Sequence, residues 1–379
     1  MKMSFVTIGP SDDIAAWSGI PLFMSEALSE SGLELHRIQR LKGPRSILLK
    51  ARTLFRTRMF GENYSPYRHS SALKFYSRQA QEQIEAQNPD VVVTCSSLPI
   101  AYLETKKPIV LWTDATFAGL LNFYADYAGM SAAALREGHV AEQAALDRCS
   151  LVVYSSEWAA GSAVDRYHAD REKVKVVPFG ANFPGGLTME EAEKVVDERS
   201  TDLCKLLFIG VDWKRKGADA AIAAAEELNR RGVRTRLTVV GAMPPADMKV
   251  PEFVTLAGFV SKNTQEGSER LRRLLMESHF LVIPSIADCT PIVFSEANSF
   301  AMPCVSTDVG GISSVVKNGV NGFLVSVENA AQEAAQTIEQ SFTNWASYRR
   351  LALSSYREYE NRLNWRTSAR VVSDLMHRL

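Results

Sequence analysis

The feature that most constrains this chain is a recurrent pairing of a short, unbroken apolar run with a helical pattern. The runs SFVTIG (4–9), DVVVTCSS (90–97), IVLWTD (109–114), LVVYSS (151–156) and KVKVVPFG (173–180) fall in the first half. KLLFIG (205–210), RLTVVG (236–241), FVTLAG (253–258), HFLVIPS (279–285) and PCVSTD (303–308) follow in the second. They are rich in valine and isoleucine and do not alternate with polar residues. Strands of that kind are buried on both faces, as in parallel sheets covered by helices. Ala218, Ile222, Ala225 and Leu228 fall at helical spacing between two runs and would face such a sheet. The succession argues for α/β architecture. The opening stretch from Ser4 to Ile8 is too short for a signal-peptide core and fits a first buried strand.

The chain has 379 residues, beyond the roughly 250–300 at which one core stops growing, so two domains are expected. Phe183-Pro184-Gly185-Gly186 opens a polar, acidic stretch, and the strand pattern restarts at Lys205. The predicted division is a first domain over 1–185, a linker over 186–202 and a second domain over 203–360. The last segment, 361–379, is predicted as a helix packing back on the first domain.

Charge narrows the function. Lys+Arg and Asp+Glu both number 43, so there is no basic excess of the kind nucleic-acid binding requires. The five cysteines are odd in number and show no metal-like or redox-like spacing. They read as core thiols of a reducing compartment, and a cytoplasmic setting is expected. No run approaches the ~18 apolar residues that span a bilayer.

Three segments carry chemistry, each at the end of a strand, where open α/β sheets bind ligands. In KLLFIGVDWKRKGADAAI (205–222) a strand ends at Gly210, and Lys214, Arg215 and Lys216 precede Gly217 and a helix. Fixed cations and a helix N-terminus stabilise negative charge developing on a phosphate leaving group. A solvated basic turn would read the same way. In IPSIADCTPIVFSEANSFAMPCVSTDVGG (283–311), Asp288 and Glu296 are separated by seven residues. Thr290 is a good N-cap and Pro291 suits a first helical position. Asp288 would then lie in the loop and Glu296 inside the helix. At 1.5 Å rise per residue they would stand on the order of 10 Å apart, too far to share a proton. That suits two contacts on one extended ligand, with the free N–H groups of Ile292 and Val293 near a phosphate. A capped surface helix is the plain alternative. In GPSDDIAAWSGIPLFMSEAL (9–28) a loop precedes a helix starting near Ile20-Pro21, and Gly19 permits close approach of backbone to a ligand.

These segments resemble the family 4 retaining glycosyltransferases, and the resemblance extends over nearly the whole chain. That family carries two glutamates seven residues apart, then a small-residue turn and a Gly-Gly loop, as 303–325 has here. The resemblance implies the GT-B fold, two Rossmann-like α/β/α domains whose parallel sheets face a central cleft. It implies transfer of a sugar from a nucleotide-diphosphate donor, a UDP- or GDP-sugar, to a hydroxyl acceptor, in polysaccharide or glycolipid assembly. Lys216 matches a lysine that holds the donor diphosphate, with Arg215 beside it. Asp288 would hold the sugar, Glu296 the ribose, and Thr290, Pro291, Ile292 and Val293 the phosphate side. Ser18 and Gly19 match a small pair whose backbone lies against the donor, and Trp17 and Pro21 look like the acceptor-side loop.

The chain departs from the family pattern at four places. Asp288 replaces a glutamate and reaches about 1.5 Å less. Val211 stands where an arginine is expected, and Pro291, which has no N–H, where glycine is usual. After the fourth strand Thr113 and Asp114 stand in place of a histidine. Asp114 reads equally as a contact to sugar or acceptor and as the cap of the next helix.

The family mechanism needs no protein nucleophile: the acceptor attacks the face that the diphosphate leaves, and a phosphate oxygen acts as base. The protein positions the reactants and stabilises charge, and domain closure limits hydrolysis. No Asp-x-Asp occurs, so neither a bridging metal nor any other cofactor is expected. From Arg37 to Arg58 the chain has eight Lys/Arg and no acid, with Ile47, Leu48, Leu49, Leu54 and Phe55 interleaved. This stretch reads first as a solvated loop with its leucines in the local core, and it also fits contact with anionic lipid on the inner membrane face, suited to a lipid-linked acceptor, or a site for an anionic soluble acceptor. Two other functions stay open, a GT-B nucleotide-sugar epimerase and a non-enzymatic nucleotide-sugar binding protein. No G-x-G-x-x-G opens a helix after a strand, which argues against an NAD-dependent oxidoreductase.

Overall fold

Twelve strands form two separate parallel sheets in the computed structural model, which describes residues 1–43, 68–183 and 185–379. The chain divides into two compact units, 1–178 with 368–379, and 179–367.

In unit 1 the sheet order is β2-β1-β3-β4-β5-β6. Its strands are β1 (Lys2–Val6), β2 (Glu34–Ile38), β3 (Val91–Thr94), β4 (Ile109–Thr113), β5 (Leu151–Tyr154) and β6 (Val174–Val176). The central β3, β4 and β5 are buried at every position. Helices Ser70–Gln87, Ala132–Arg148 and Glu157–Tyr167 bury one stripe each, through residues such as Leu73, Tyr76, Ala145 and Ala163. Each begins where a side chain takes an orphan N–H: Ser131 accepts from Ala134 N at 3.2 Å and Ser156 from Ala159 N at 3.2 Å.

In unit 2 the order is β12-β11-β10-β7-β8-β9. The strands are β7 (Cys204–Gly210), β8 (Thr235–Gly241), β9 (Val254–Gly258), β10 (Phe280–Ile283), β11 (Cys304–Thr307) and β12 (Gly322–Val325). All its pairings are parallel, so every carboxyl end lies at one edge of the sheet. The buried Arg199 ties this unit together without a carboxylate among its described partners. Its guanidinium donates to the carbonyls of Met276 (3.0 Å), Phe300 (2.8 Å) and Ala301 (2.7 Å) and to the Tyr348 hydroxyl (2.7 Å). Carbonyls at a helix end and a turn thereby gain the donors they lack.

Two expectations about boundaries change. Residues 186–202, predicted as a linker, contain the helix Met189–Asp197, started by a capping box between Thr188 and Glu191. Ala192 and Val196 are fully buried in the core of unit 2, so this acidic stretch is amphipathic, not a spacer. The C-terminal tail forms the helices Trp345–Arg362 and Trp365–Met376. Ser368–Leu379 belongs to unit 1, where Ser368 Oγ donates to Pro178 O at 2.8 Å. Among the described residues no helix is long and apolar enough to cross a membrane. Most of the basic stretch 37–58 lies outside the described residues.

Candidate functional site

The carboxyl edge of unit 2 brings four loops together. The first follows β7. Asp212 O accepts from Lys216 N at 3.1 Å, and Asp212 Oδ1 accepts from Arg215 N at 3.0 Å, which coils residues 212–216 into turns. Gly217 ends the coil at φ +76, and a Cβ there would stand 2.1 Å from the Pro284 carbonyl oxygen. Only glycine fits both that backbone and that contact. Gly210 leaves room for the Lys216 stem, which a Cβ would meet at 3.0 Å.

This coil aims two of the three consecutive cations at one carboxylate. Lys216 Nζ donates to Asp288 Oδ2. Arg215 Nη1 stands 3.6 Å from the same oxygen and donates to Ala287 O at 3.0 Å. Lys214 is exposed. Asp288 is nearly buried, and its own carbonyl accepts from Gly311 N at 3.2 Å, which fastens the Gly-Gly loop after β11 to the loop after β10. A buried carboxylate is tolerated when cations and donors surround it, and here two cations do.

Glu296 lies on the helix Ile292–Asn298 and is only 1% exposed. Its Oε1 accepts from Lys262 Nζ, in the loop after β9. Each of the two carboxylates therefore has its own lysine, as befits two separate contacts rather than a shared proton. Lys262 was missed in the sequence. Its signal was weak: one cation after a strand end, in FVTLAGFVSKN, with no partner visible until the fold brings Glu296 beside it.

The start of this helix differs from expectation. Pro291 is the N-cap, at ψ 106, and Ile292 the first helical residue, with no side-chain cap. Thr290 Oγ1 donates instead to Cys289 O at 2.7 Å. Pro291 itself has extended backbone, so the helix begins one residue later than expected. Ile292 and Val293 are the first two helical residues, whose N–H groups have no intrahelical acceptor. Val211 is 72% exposed, so that position contributes no charge.

The remaining residues lie in unit 1. Trp17 (φ 45), Ser18 (φ 56) and Gly19 (φ 86) form a left-handed turn before the helix Ile20–Glu30. Two non-glycine residues in that region store strain of order 1–3 kcal/mol each, a pattern that clusters at ligand sites. Trp17 of this turn, with Pro10 and Pro21, lines a cavity of about 400 Å³ that also takes in Arg68, Cys95 and Tyr127. Asp114 follows β4. It does not cap the next helix: Thr116 does, accepting from Gly119 N at 3.0 Å. Burial pushes the Cys95 thiol up to about 12, and the Asp114 charge adds to that push. Among the described residues no group of three His, Cys, Asp or Glu could hold a metal ion.

Known proteins align with this geometry. Residues 204–344 match the family of glycosyl transferases group 1. A D-inositol 3-phosphate glycosyltransferase from Nocardia farcinica is 27% identical over 52% of this chain and 48% of its own length. The chain spans about half the length of the curated relatives it matches first. Over its whole length it is similar in fold to sucrose-phosphate synthase from Thermosynechococcus elongatus, with TM-score 0.69, 16% identity and 98% of that chain covered. The Anabaena protein HepE, solved with UDP and glucose, gives TM-score 0.65 at 14% identity, with both chains fully covered. The chain has the GT-B fold, and the match to glycosyl transferases group 1 falls within its second unit.

Proposed function

We propose that this protein is a retaining, metal-independent glycosyltransferase that moves a sugar from a nucleotide-diphosphate donor to a hydroxyl acceptor. The observation that carries the reading is the convergence of Lys216, Arg215 and Asp288 at the carboxyl edge of the unit 2 sheet, with Glu296 held separately by Lys262. Similarity of fold to a protein solved with UDP favours a UDP-sugar over a GDP-sugar as donor.

In this reading Lys216 and Arg215 neutralise the charge that grows on the diphosphate as its bond to the sugar breaks. Arg215 supplies the cation that Val211 lacks, and its hydrogen bond to Ala287 O keeps it at the strand end. Asp288 grips sugar hydroxyls, and its pairing with Lys216 fixes both groups before substrate arrives, which lowers the ordering cost of binding. Glu296 accepts from the ribose hydroxyls, and Ile292 and Val293 offer backbone N–H groups to a phosphate. The reading assigns Ser18 and Gly19 to donor contact and Asp114 to the acceptor hydroxyl. The acceptor oxygen attacks the anomeric carbon on the face the diphosphate leaves, and its proton passes to a phosphate oxygen. No protein nucleophile is required. A cytoplasmic setting and a role in polysaccharide or glycolipid assembly go with this reading.

The test is nucleotide release from a panel of UDP-, GDP- and ADP-sugars with sugar and lipid-phosphate acceptors, in EDTA, with product anomers read by proton NMR. Transfer in EDTA with retained configuration supports the reading. Inverted product contradicts the mechanism, and donor consumed without any acceptor points to an epimerase.

A further inference from the structure

The cavity in unit 1 contains a cation that the transfer chemistry above does not use. Arg68 precedes the helix Ser70–Gln87 and lines the cavity with Trp17, Pro10, Ser96 and Tyr127. Its guanidinium carbon lies 5.0 Å from the Phe117 ring centroid and 5.3 Å from that of Tyr127. One of its nitrogens donates to the Tyr127 hydroxyl at 3.0 Å. Phe117 is buried, so the plane of the fork is set by packing.

The buried carboxyl of Glu142 feels Arg68 but takes a hydrogen bond from Ser97 Oγ at 2.6 Å. Burial pushes the Glu142 carboxyl up, which favours its neutral form. The other groups facing this region are His139 and Tyr167, joined at 2.9 Å, and the pair His69 and Glu137 at 3.6 Å. Burial holds His139 below its usual value and pushes Tyr167 above its own, so both favour the neutral form. Among the described residues Arg68 is thus held by rings and a hydroxyl, not by a carboxylate.

A guanidinium has five N–H donors in a planar fork that matches two oxygens of a phosphate or carboxylate. Pre-oriented by two rings, it loses little freedom when it binds one. The apolar walls and the exposed Trp17 ring suit the carbon face of a sugar or cyclitol.

We infer that the unit 1 cavity binds an acceptor carrying a phosphate or carboxylate group, with Arg68 holding the anion and Trp17 packing on the ring that bears the reactive hydroxyl. This deepens the proposed transfer and rests on it for the ligand's being an acceptor. The anion recognition itself stands on the cavity alone.

The experiment measures binding to the full chain by calorimetry. The probes are inorganic phosphate, glucose 6-phosphate, glucuronate, uncharged glucose, and vesicles with and without phosphatidic acid. UDP is titrated in parallel. Expected is saturable binding of at least one anionic probe and none of glucose. Arg68→Met should weaken the anionic probe at least tenfold, Arg68→Lys less, and neither should change UDP affinity more than twofold. Glucose 6-phosphate or glucuronate binding identifies a soluble acceptor, and binding only to phosphatidic acid vesicles a lipid-borne phosphate. Absence of binding by every anionic probe, or equal binding of the anionic probe to wild type and Arg68→Met, overturns the inference. If UDP fails to bind while the Arg68-dependent anion site persists, the transferase reading falls and the anion site stands.

Discussion

Replacing Lys262 by methionine would leave the Glu296 carboxylate, 1% exposed, without its cation. Removing one partner of a fully buried ion pair costs about 3–5 kcal/mol, because the remaining charge keeps its desolvation penalty. The Lys262 side chain is 29% exposed, so water can reach the vacated position and the cost should be smaller, about 2–3 kcal/mol. Glu296→Gln alone leaves an ammonium that can turn to solvent, and should cost roughly 1 kcal/mol. The double variant should recover part of the loss, with a coupling of about 1–2 kcal/mol. Native-state hydrogen exchange of β7 and β10 amides reads unit 2 without assuming two-state unfolding of the whole chain. At 1.4 kcal/mol per tenfold, Lys262→Met should speed their exchange roughly 30- to 140-fold. Unchanged exchange in Lys262→Met, or strictly additive single changes, would refute the claim that this pair is buried and mutually dependent.

Gly217→Ala forces a Cβ to 2.1 Å from Pro284 O at φ +76, so it should cost about 2–4 kcal/mol and weaken UDP binding by displacing Lys216, read by thermal melting and calorimetry. Asp288→Asn removes a negative charge beside the diphosphate cations, so UDP should bind as well or better while transfer falls at least ~100-fold; a parallel fall in both would assign Asp288 a purely structural role. His279 is fully buried, accepts from Lys205 N at 3.0 Å and meets Ser200 O through its other nitrogen at 2.8 Å, and burial lowers its pKa to about 3. The unfolded chain therefore binds the extra proton first. This residue's contribution is intact above about pH 6.5 and declines by up to about 1.4 kcal/mol per pH unit from there towards pH 3. In acid titration of stability, His279→Gln should show a shallower decline than wild type over that window.

Much of the fold was legible because ten strands announce themselves as unbroken apolar runs, the central β3, β4, β5, β10 and β11 buried at every position. The two strands not singled out, β2 and β12, each lie at one edge of a sheet, as do β6 and β9, which their apolar runs revealed. β2 reads ELHRI and is buried only at Ile38, so its sequence carries the charge of a half-solvated surface. β12, GFLV, is short and half-buried within a loop-like stretch rich in glycine and asparagine. The acidic helix Met189–Asp197 was hidden by its polar face, although Thr188 and Glu191 form a box visible in the sequence.

In the site, spacing along one segment was readable and pairing between segments was not. Asp288 and Glu296 stood out through their separation on a single loop and helix. Lys262 and Arg68 did not, because each gains meaning only from partners far along the chain, Glu296 and Tyr127. The register of the helix start shifted by one residue, with Pro291 extended and the Thr290 hydroxyl turned to Cys289 O.

The central claim is that a nucleoside diphosphate binds unit 2 through Glu296 and Lys216. Calorimetric titration of UDP, GDP and ADP into wild type, Glu296→Ala, Lys216→Ala and the unit 1 variant Arg68→Met tests it most directly. The account predicts saturable binding of one nucleotide, UDP first, lost at least ~30-fold in Glu296→Ala and Lys216→Ala and kept in Arg68→Met. Absence of binding by all three nucleotides, or binding that survives both unit 2 substitutions in folded protein, would contradict it.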